Sequence, residues 1–375
     1  MKKWNKANRY ALLAGLLFFI VMLTFACKKK EKEDTKEVIA PTITAEVTKV
    51  PTDTPTLTEA IIIHEGEARS YLTGEWKAEE EVIKRPYAVI FNNIECASPQ
   101  SGIGDAAILY EALVEGGITR MLGIFDGIDP DSETAKRIGS VRSARHYFAS
   151  FADEYDAIFV HFGETTYATK AMKKLGIDHL TGSYGIGVNS FYRDPSIKSP
   201  HNAFTSLDGI LKAVQNGDIR TEYEKGYESH FSFYEENTVP VSDVDVNKLT
   251  LKFSNYTSPY FMYDAENKVY LRSQFGSEHT DANTGEQLAF ENIIVQFVKQ
   301  WDIDKNGYQT MELADASGTG YYITNGKMVK VTWKKNESTR MMRYYDETGK
   351  ELIINPGKTY IAVFPNHKTE NVIME

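Results

Sequence analysis

Disulfides are the first thing this sequence does without. It has two cysteines, Cys27 and Cys96. Cys27 ends an N-terminal targeting pattern, so Cys96 stands alone in the body. A lone thiol closes no intrachain bridge, and the Cys/His spacings of a zinc site are absent. Cys96 is expected to pack as a buried small hydrophobe rather than to act as a nucleophile. Positive charge is also short: 42 Lys and Arg face 52 Asp and Glu. An acidic body argues against nucleic acid as a partner. No Gly-x-Ser-x-Gly surrounds Ser101, Ser143 or Ser183, which removes the nucleophile-elbow hydrolases. Asp302-x-Asp304-x-Asn306-Gly307 begins like a calcium loop, but its twelfth position is Leu313 instead of Glu. It reads as a polar hairpin turn. His279-Thr280-Asp281 is a weaker metal signal still. No metal and no cofactor are expected.

What is present begins with an address. Lys2, Lys3, Lys6 and Arg9 form a positive segment, followed by the apolar run 11–26, Cys27 and Lys28-Lys29-Lys30. The run is short for a comfortable membrane span. Ala26 before Cys27 fits a lipoprotein signal peptide, residues 1–26, whose cleavage frees Cys27 for lipidation. Leu23 and Thr24 depart from that pattern, and an uncleaved single-pass anchor is the other reading. Either way the body lies on the extracytoplasmic face of the cell membrane, and a diacyl chain on Cys27 is enough to hold it there. Removal of residues 1–26 takes away four cations and leaves about −14. Residues 27–69, with Pro41, Pro51 and Pro55 among Lys, Glu and Thr, carry too few large apolar groups to bury a core and read as a tether.

About 300 residues remain, more than one ordinary core holds, so two domains are expected. Residues 70–240 alternate apolar strands, among them 87–91, 119–125 and 157–161, with helical patterns. One helix is expected to open at Asp105 and carry Ala106, Leu109, Tyr110 and Leu113. Another is expected over 167–175, stopped by Gly176. The pattern predicts an α/β layered domain with a mainly parallel sheet. Residues 182–205 are irregular, as binding segments often are. Residues 241–375 read as ten short strands with hairpin turns at Asn325-Gly326 and Thr348-Gly349, hence a mostly antiparallel barrel or sandwich. Two cores are expected to separate near 238–247, and the whole is α+β.

The candidate site is an arginine cluster. Val141, Ala144, Phe148, Phe151 and Tyr155 share one helical spacing, and Gly139-Ser140 supplies a start signal. Arg142 and Arg145 then fall in the first turn, where the helix dipole disfavours cations. Negative charge is needed nearby: an anionic ligand held also by Arg120 and Arg193, or the protein's own Glu111, Glu115 and Asp126. His161 ends a buried strand and, with Glu164 and His201, could form an acid–base set; a histidine satisfied in the core is the plainer reading. The ligand-binding candidates are thus Arg120, Arg142, Arg145, His161, Arg193 and His201.

Several stretches resemble one family. Residues 72–74, 87–92, 99–102, 109–120 (LYEALVEGGITR), 138–145 (IGSVRSAR), 155–161 (YDAIFVH), 191–194 and 200–202 are similar to the YerB-like bacterial lipoproteins. So are His279, residues 284–286, 294–296 and 355–357 of the second half. The resemblance spans nearly everything after residue 70. Ser140 and His146 stand where prolines are usual, and Phe162-Gly163-Glu164-Thr165 replaces small residues and glycines. Membership implies a membrane-anchored extracytoplasmic lipoprotein and no established reaction. The expected function is binding or regulation in the cell envelope, through an anionic ligand or a cell-wall enzyme. An enzyme acting on an anionic cell-wall substrate and a structural spacer are the alternatives.

Overall fold

A computed structural model describes residues 64–336 and 338–375. The signal peptide, Cys27 and most of the tether lie outside these residues.

The body is organised on one sheet of ten strands. From edge to edge these are Met342–Tyr345, Lys327–Lys335, Ser317–Thr324, Asn292–Val298, Thr359–Pro365, Ile108–Leu113, Thr119–Phe125, Tyr87–Asn93, Ile158–His161 and His179–Thr181. The seam between the two sequence halves runs through its middle. Thr359–Pro365, buried along its whole length, pairs in parallel with Asn292–Val298 on one side and Ile108–Leu113 on the other. Strands buried on both faces read as continuous apolar runs, and Tyr-Ile-Ala-Val-Phe here is one.

Two expectations are corrected at this level, and a third is narrowed. The segment expected to be a helix from Asp105 is the strand Ile108–Leu113, all six residues buried. Its apolar spacing suits a helix face, but a short run apolar throughout suits a two-sided strand equally, and burial between two neighbours decides. Gly116 and Gly117, at φ 70° and 74°, turn it back into Thr119–Phe125. The first-half sheet is mixed, not mainly parallel. Tyr87–Asn93 and Ile108–Leu113 both run antiparallel to Thr119–Phe125. Only the pairs reaching Ile158–His161 and His179–Thr181 are parallel. Of the two forms expected for the second half, it closes no barrel, and two sheets face each other through Leu249, Phe261, Val295 and Tyr360. Its strands add to the central sheet and to a second, antiparallel sheet containing Lys248–Leu251, Tyr260–Asp264, Val269–Gln274 and Val372–Met374.

The two hydrophobic cores lie on opposite faces of the central sheet, not in opposite halves of the chain. One gathers Tyr147, Phe148 and Phe151 of helix His146–Glu154 with Tyr110, Ile294, Trp333 and Ile361. The other gathers Ile210 and Val214 of helix Leu207–Asn216 with Leu109, Leu249, Phe261, Val295 and Tyr360. Each draws on both halves, so the expected cores separable near 238–247 do not occur. Cys96, expected buried, is exposed. The hairpin at Asn325-Gly326 is present, with both residues at positive φ, 51° and 71°. The segment after Asp302 is also a hairpin, between Gln300–Asp302 and Gln309–Met311.

A buried polar network crosses the seam. Glu111 and Arg272, each wholly buried, pair at 2.7 Å. Removing one partner strands the other charge in the core. Arg272→Met is therefore expected to lower stability by about 3–5 kcal/mol in urea denaturation, as is Glu111→Leu. A loss under about 1 kcal/mol in both would show that the pair is not needed to hold the halves together.

Candidate functional site

Residues 140–144 form an extended strip and not the first turn of a helix. Ser140 O accepts from Asn92 N (3.0 Å), Arg142 N donates to Ile90 O (3.0 Å), and Arg142 O accepts from Phe162 N (3.0 Å). The strip thus lies across the carboxyl ends of the parallel strands Tyr87–Asn93 and Ile158–His161. These are the ends at which α/β sheets gather ligands. The helix begins at His146, with Arg145 at its cap position. The dipole argument made for Arg142 therefore does not apply, although a shortage of negative charge does.

Arg145 is settled by the protein. Its Nε and Nη2 each meet a Glu115 carboxylate oxygen at 2.6 Å, a bidentate pair. Of the other two expected partners, Glu111 is taken by Arg272 and Asp126 by Lys77 and Ser70. Arg120 and Arg142 have no carboxylate within ion-pairing distance among the described residues. Arg120 is only 5% exposed, and its Nη1 donates to Ser143 O. Burial first, then repulsion from Arg145 and Arg142, pulls its pKa down to about 9. Arg142 is half-buried. Its Nη1 donates to Pro200 O (3.0 Å), and its Nε is buried without a partner. Burial and the charges of Arg145 and Arg193 lower its pKa as well. Arg193, exposed, lies 4.7 Å over the Phe162 ring and donates to Asn202 Oδ1 at 2.7 Å. His201 joins from above the strip. Asn92 Nδ2 donates to its Nδ1 at 3.0 Å, and burial followed by Arg142 depresses its pKa. The cluster therefore sets Arg120, Arg142, Arg145 and Arg193 against one adjacent carboxylate, Glu115.

His161 is not part of it. It is wholly buried, with Nδ1 donating to Gly163 O (2.9 Å) and Nε2 accepting from His179 Nδ1 (3.1 Å). Burial depresses its pKa to about 3, so it stays neutral. Glu164 lies 3.7 Å away, but His201 is bonded elsewhere, so the expected set of three does not assemble. Ser143 Oγ donates to Phe162 O (3.0 Å), and Ser101 Oγ accepts from Arg137 Nε (3.1 Å). Neither hydroxyl meets a histidine. His279, the weak metal signal, accepts from Arg272 and donates to Gln100 Oε1 at 2.5 Å. Sequence reasoning missed Asn92, Asn202 and His179. Asn92 and Asn202 each lay inside a quoted motif, 87–92 and 200–202, while His179 carried no signal.

A body of two sequence segments sharing one mixed sheet, with a basic strip at its strand ends, is the class of protein this chain represents. The chain belongs to the family described as "Protein of unknown function (DUF3048)", matching its N-terminal domain over residues 72–220 and its C-terminal domain over 249–361. It is 34% identical over 297 residues to "Putative lipoprotein YerB" of Bacillus subtilis (strain 168), covering 79% of this chain and 86% of that protein. The crystal structure of the YerB protein from Bacillus subtilis superposes with a TM-score of 0.71 at 30% identity. It covers 82% of this chain and 99% of that one.

The two arginines flanking Ser143 should separate in denaturant melts. Arg145→Gln unpairs the partly buried Glu115 and is expected to cost about 2–3 kcal/mol, less than a wholly buried pair, because Glu115 keeps a quarter of its side chain in water. Arg142→Gln relieves repulsion and breaks no ion pair, so its effect should stay within about 0.5 kcal/mol. Equal losses in both would mean that Arg142, too, serves as a clamp.

Proposed function

We propose that this chain is a lipoprotein, anchored through Cys27 on the extracytoplasmic face of the cell membrane, whose body binds an anionic envelope ligand in a binding or regulatory role. The observation that carries the ligand reading is the unbalanced charge of the strip. Arg120 is buried without a carboxylate, beside Arg142 with its partnerless Nε and the exposed Arg193. Guanidinium groups held together in this way are stabilised by a phosphate or carboxylate that accepts several of their N–H groups at once. Arg142, Arg193 and His201 are the accessible contacts. Arg120 supplies charge from behind, and Arg145 and Glu115 fix the strip to the helix that follows. His161 is left out of the ligand set because its ring nitrogens are occupied within the core. The anchor reading rests on the sequence before and at Cys27 and on the lipoprotein named among the relatives.

The anchor is tested in cells by metabolic labelling with a fatty acid. Wild type is expected to carry label and Cys27→Ala none, with the variant retained as an unprocessed precursor. Equal labelling of the two would overturn it.

The ligand reading is tested by calorimetric titration of the soluble body with pyrophosphate and with citrate. Binding that weakens as salt rises is expected. It should fall roughly 10–100-fold in the Arg142→Gln, Arg193→Gln double variant. No binding of either anion, or binding unchanged in the double variant, would overturn it.

A further inference from the structure

The end of the body that carries the basic strip also exposes apolar side chains. Residues 182–190 join the strand His179–Thr181 to the strand Phe191–Arg193, and Gly185–Ser190 among them is a 3-10 helix. With three residues per turn, the buried Gly187 and Ser190 mark its inner line. The residues around them point out: Tyr184, Ile186 and Val188 are 46%, 44% and 43% exposed.

The backbone, more than these side chains, holds the segment in place. A Cβ on Gly187 would lie 2.7 Å from both N and O of Thr181, so the segment sits directly on the carboxyl end of the strand His179–Thr181. Thr205 Oγ1 donates to Ser190 O (2.7 Å). Ile186 rests its tip beside Gly217 and still keeps much of its surface in water. Single exposed apolar residues are ordinary, but three at alternate positions form a patch.

That patch adjoins the guanidiniums. Phe162 N donates to Arg142 O (3.0 Å). The Phe162 ring carries the Arg193 guanidinium at 4.7 Å and lies against Gly182, two residues before Tyr184. Exposed Lys198, whose carbonyl accepts from His201 N (3.0 Å), adds a third cation. Nearby carboxylates are committed within the protein. Asp194 pairs with Arg137 at 2.8 Å and Asp208 with Lys212 at 2.7 Å. Glu164 is largely covered and accepts from Thr181 Oγ1 at 3.4 Å. An acidic chain thus presents, at this one end, positive charge beside apolar surface.

A small free anion would use the guanidiniums and leave the apolar side chains in water. A phospholipid surface uses both. We propose that this end of the body docks on an anionic phospholipid bilayer, which rests on the anion reading above and names the source of the anion. Lipid phosphates accept from Arg142 and Arg193. Ile186 and Val188 enter the boundary between headgroups and acyl chains, and Tyr184, with an apolar ring and a polar tip, lies at headgroup level. Binding of this kind grows with buried apolar area and with attraction to anionic lipid together. The chain from Cys27 to His64 can span up to ~120 Å, so a lipid on Cys27 leaves this end free to reach the same membrane.

The test uses the soluble body, which lacks the anchor, and sedimentation with two kinds of vesicle. One is phosphatidylglycerol and phosphatidylcholine in equal parts, the other phosphatidylcholine alone. The body is expected to bind the anionic vesicles at least about tenfold more tightly than the neutral ones. The Ile186→Ser, Val188→Ser double variant should lose at least about tenfold on anionic vesicles while binding pyrophosphate as wild type does in calorimetry. Its thermal midpoint should not change, because both side chains are exposed. The Ile186→Leu, Val188→Leu variant, which keeps apolar area, should bind vesicles as wild type does. The Arg142→Gln, Arg193→Gln variant should lose both vesicles and pyrophosphate. Pyrophosphate binding without vesicle binding would overturn the docking and leave the anion site standing. Equal binding to both vesicle types, or vesicle binding undiminished in the serine variant, would overturn it as well.

Discussion

The Glu111 carboxylate is the point on which the two halves of this chain depend. It is wholly buried, and its four close partners divide evenly between the halves. Oε1 accepts from Asn93 (3.0 Å) and Thr119 (2.6 Å), and Oε2 accepts from Arg272 (2.7 Å) and Tyr360 (2.7 Å). An ionised carboxylate is tolerated in a core only when its lone pairs are filled and an opposite charge is at hand. Here the donors that fill them come together only if the strand Thr359–Pro365 has entered beside Ile108–Leu113. The network extends through Arg272 to His279 and Gln100. Burial, reinforced by the Arg272 charge, holds His279 well below its ordinary pKa, so the ring stays neutral and can accept from the guanidinium.

Because that seam is internal, the basic strip belongs to a body that both halves build. The 113–117 turn carries Glu115, which holds Arg145, and faces the hairpin that begins at Gln300. The hairpin bearing Gln300 and Trp301 returns through Tyr308 and Thr310. Tyr308 lies 5.7 Å under the Arg145 guanidinium, and Thr310 meets His146 Nε2 at 2.8 Å. The basic strip is therefore braced by a hairpin of the second half.

The arginines show how far local sequence carries. Four guanidiniums with few nearby acids were legible as a charge imbalance, and Glu115 was among the named partners. Which arginine closes with Glu115 depends on where the chain turns. Arg145 reaches it because the helix starts at His146, and Arg142 does not because hydrogen bonds to Ile90 and Phe162 hold residue 142 across the strand ends. His161 was legible as the end of a buried strand. That its ring is spent on Gly163 and His179 was not, because His179 belongs to the neighbouring strand of the sheet.

By itself the sequence determined the elements whose signals are local. Gly176 at φ 69° ends the helix Thr166–Leu175, Asn325-Gly326 makes a hairpin, and most second-half strands lie within a residue or two of their expected limits. Each of these follows from backbone conformation or alternation within a few residues. Tertiary structure alone decided that residues 108–113 are a strand, that the first-half sheet is mixed, and that the cores divide by sheet face. A short run such as Ile-Leu-Tyr-Glu-Ala-Leu suits a helix face and a two-sided strand alike, and only neighbours distant in the chain choose between them.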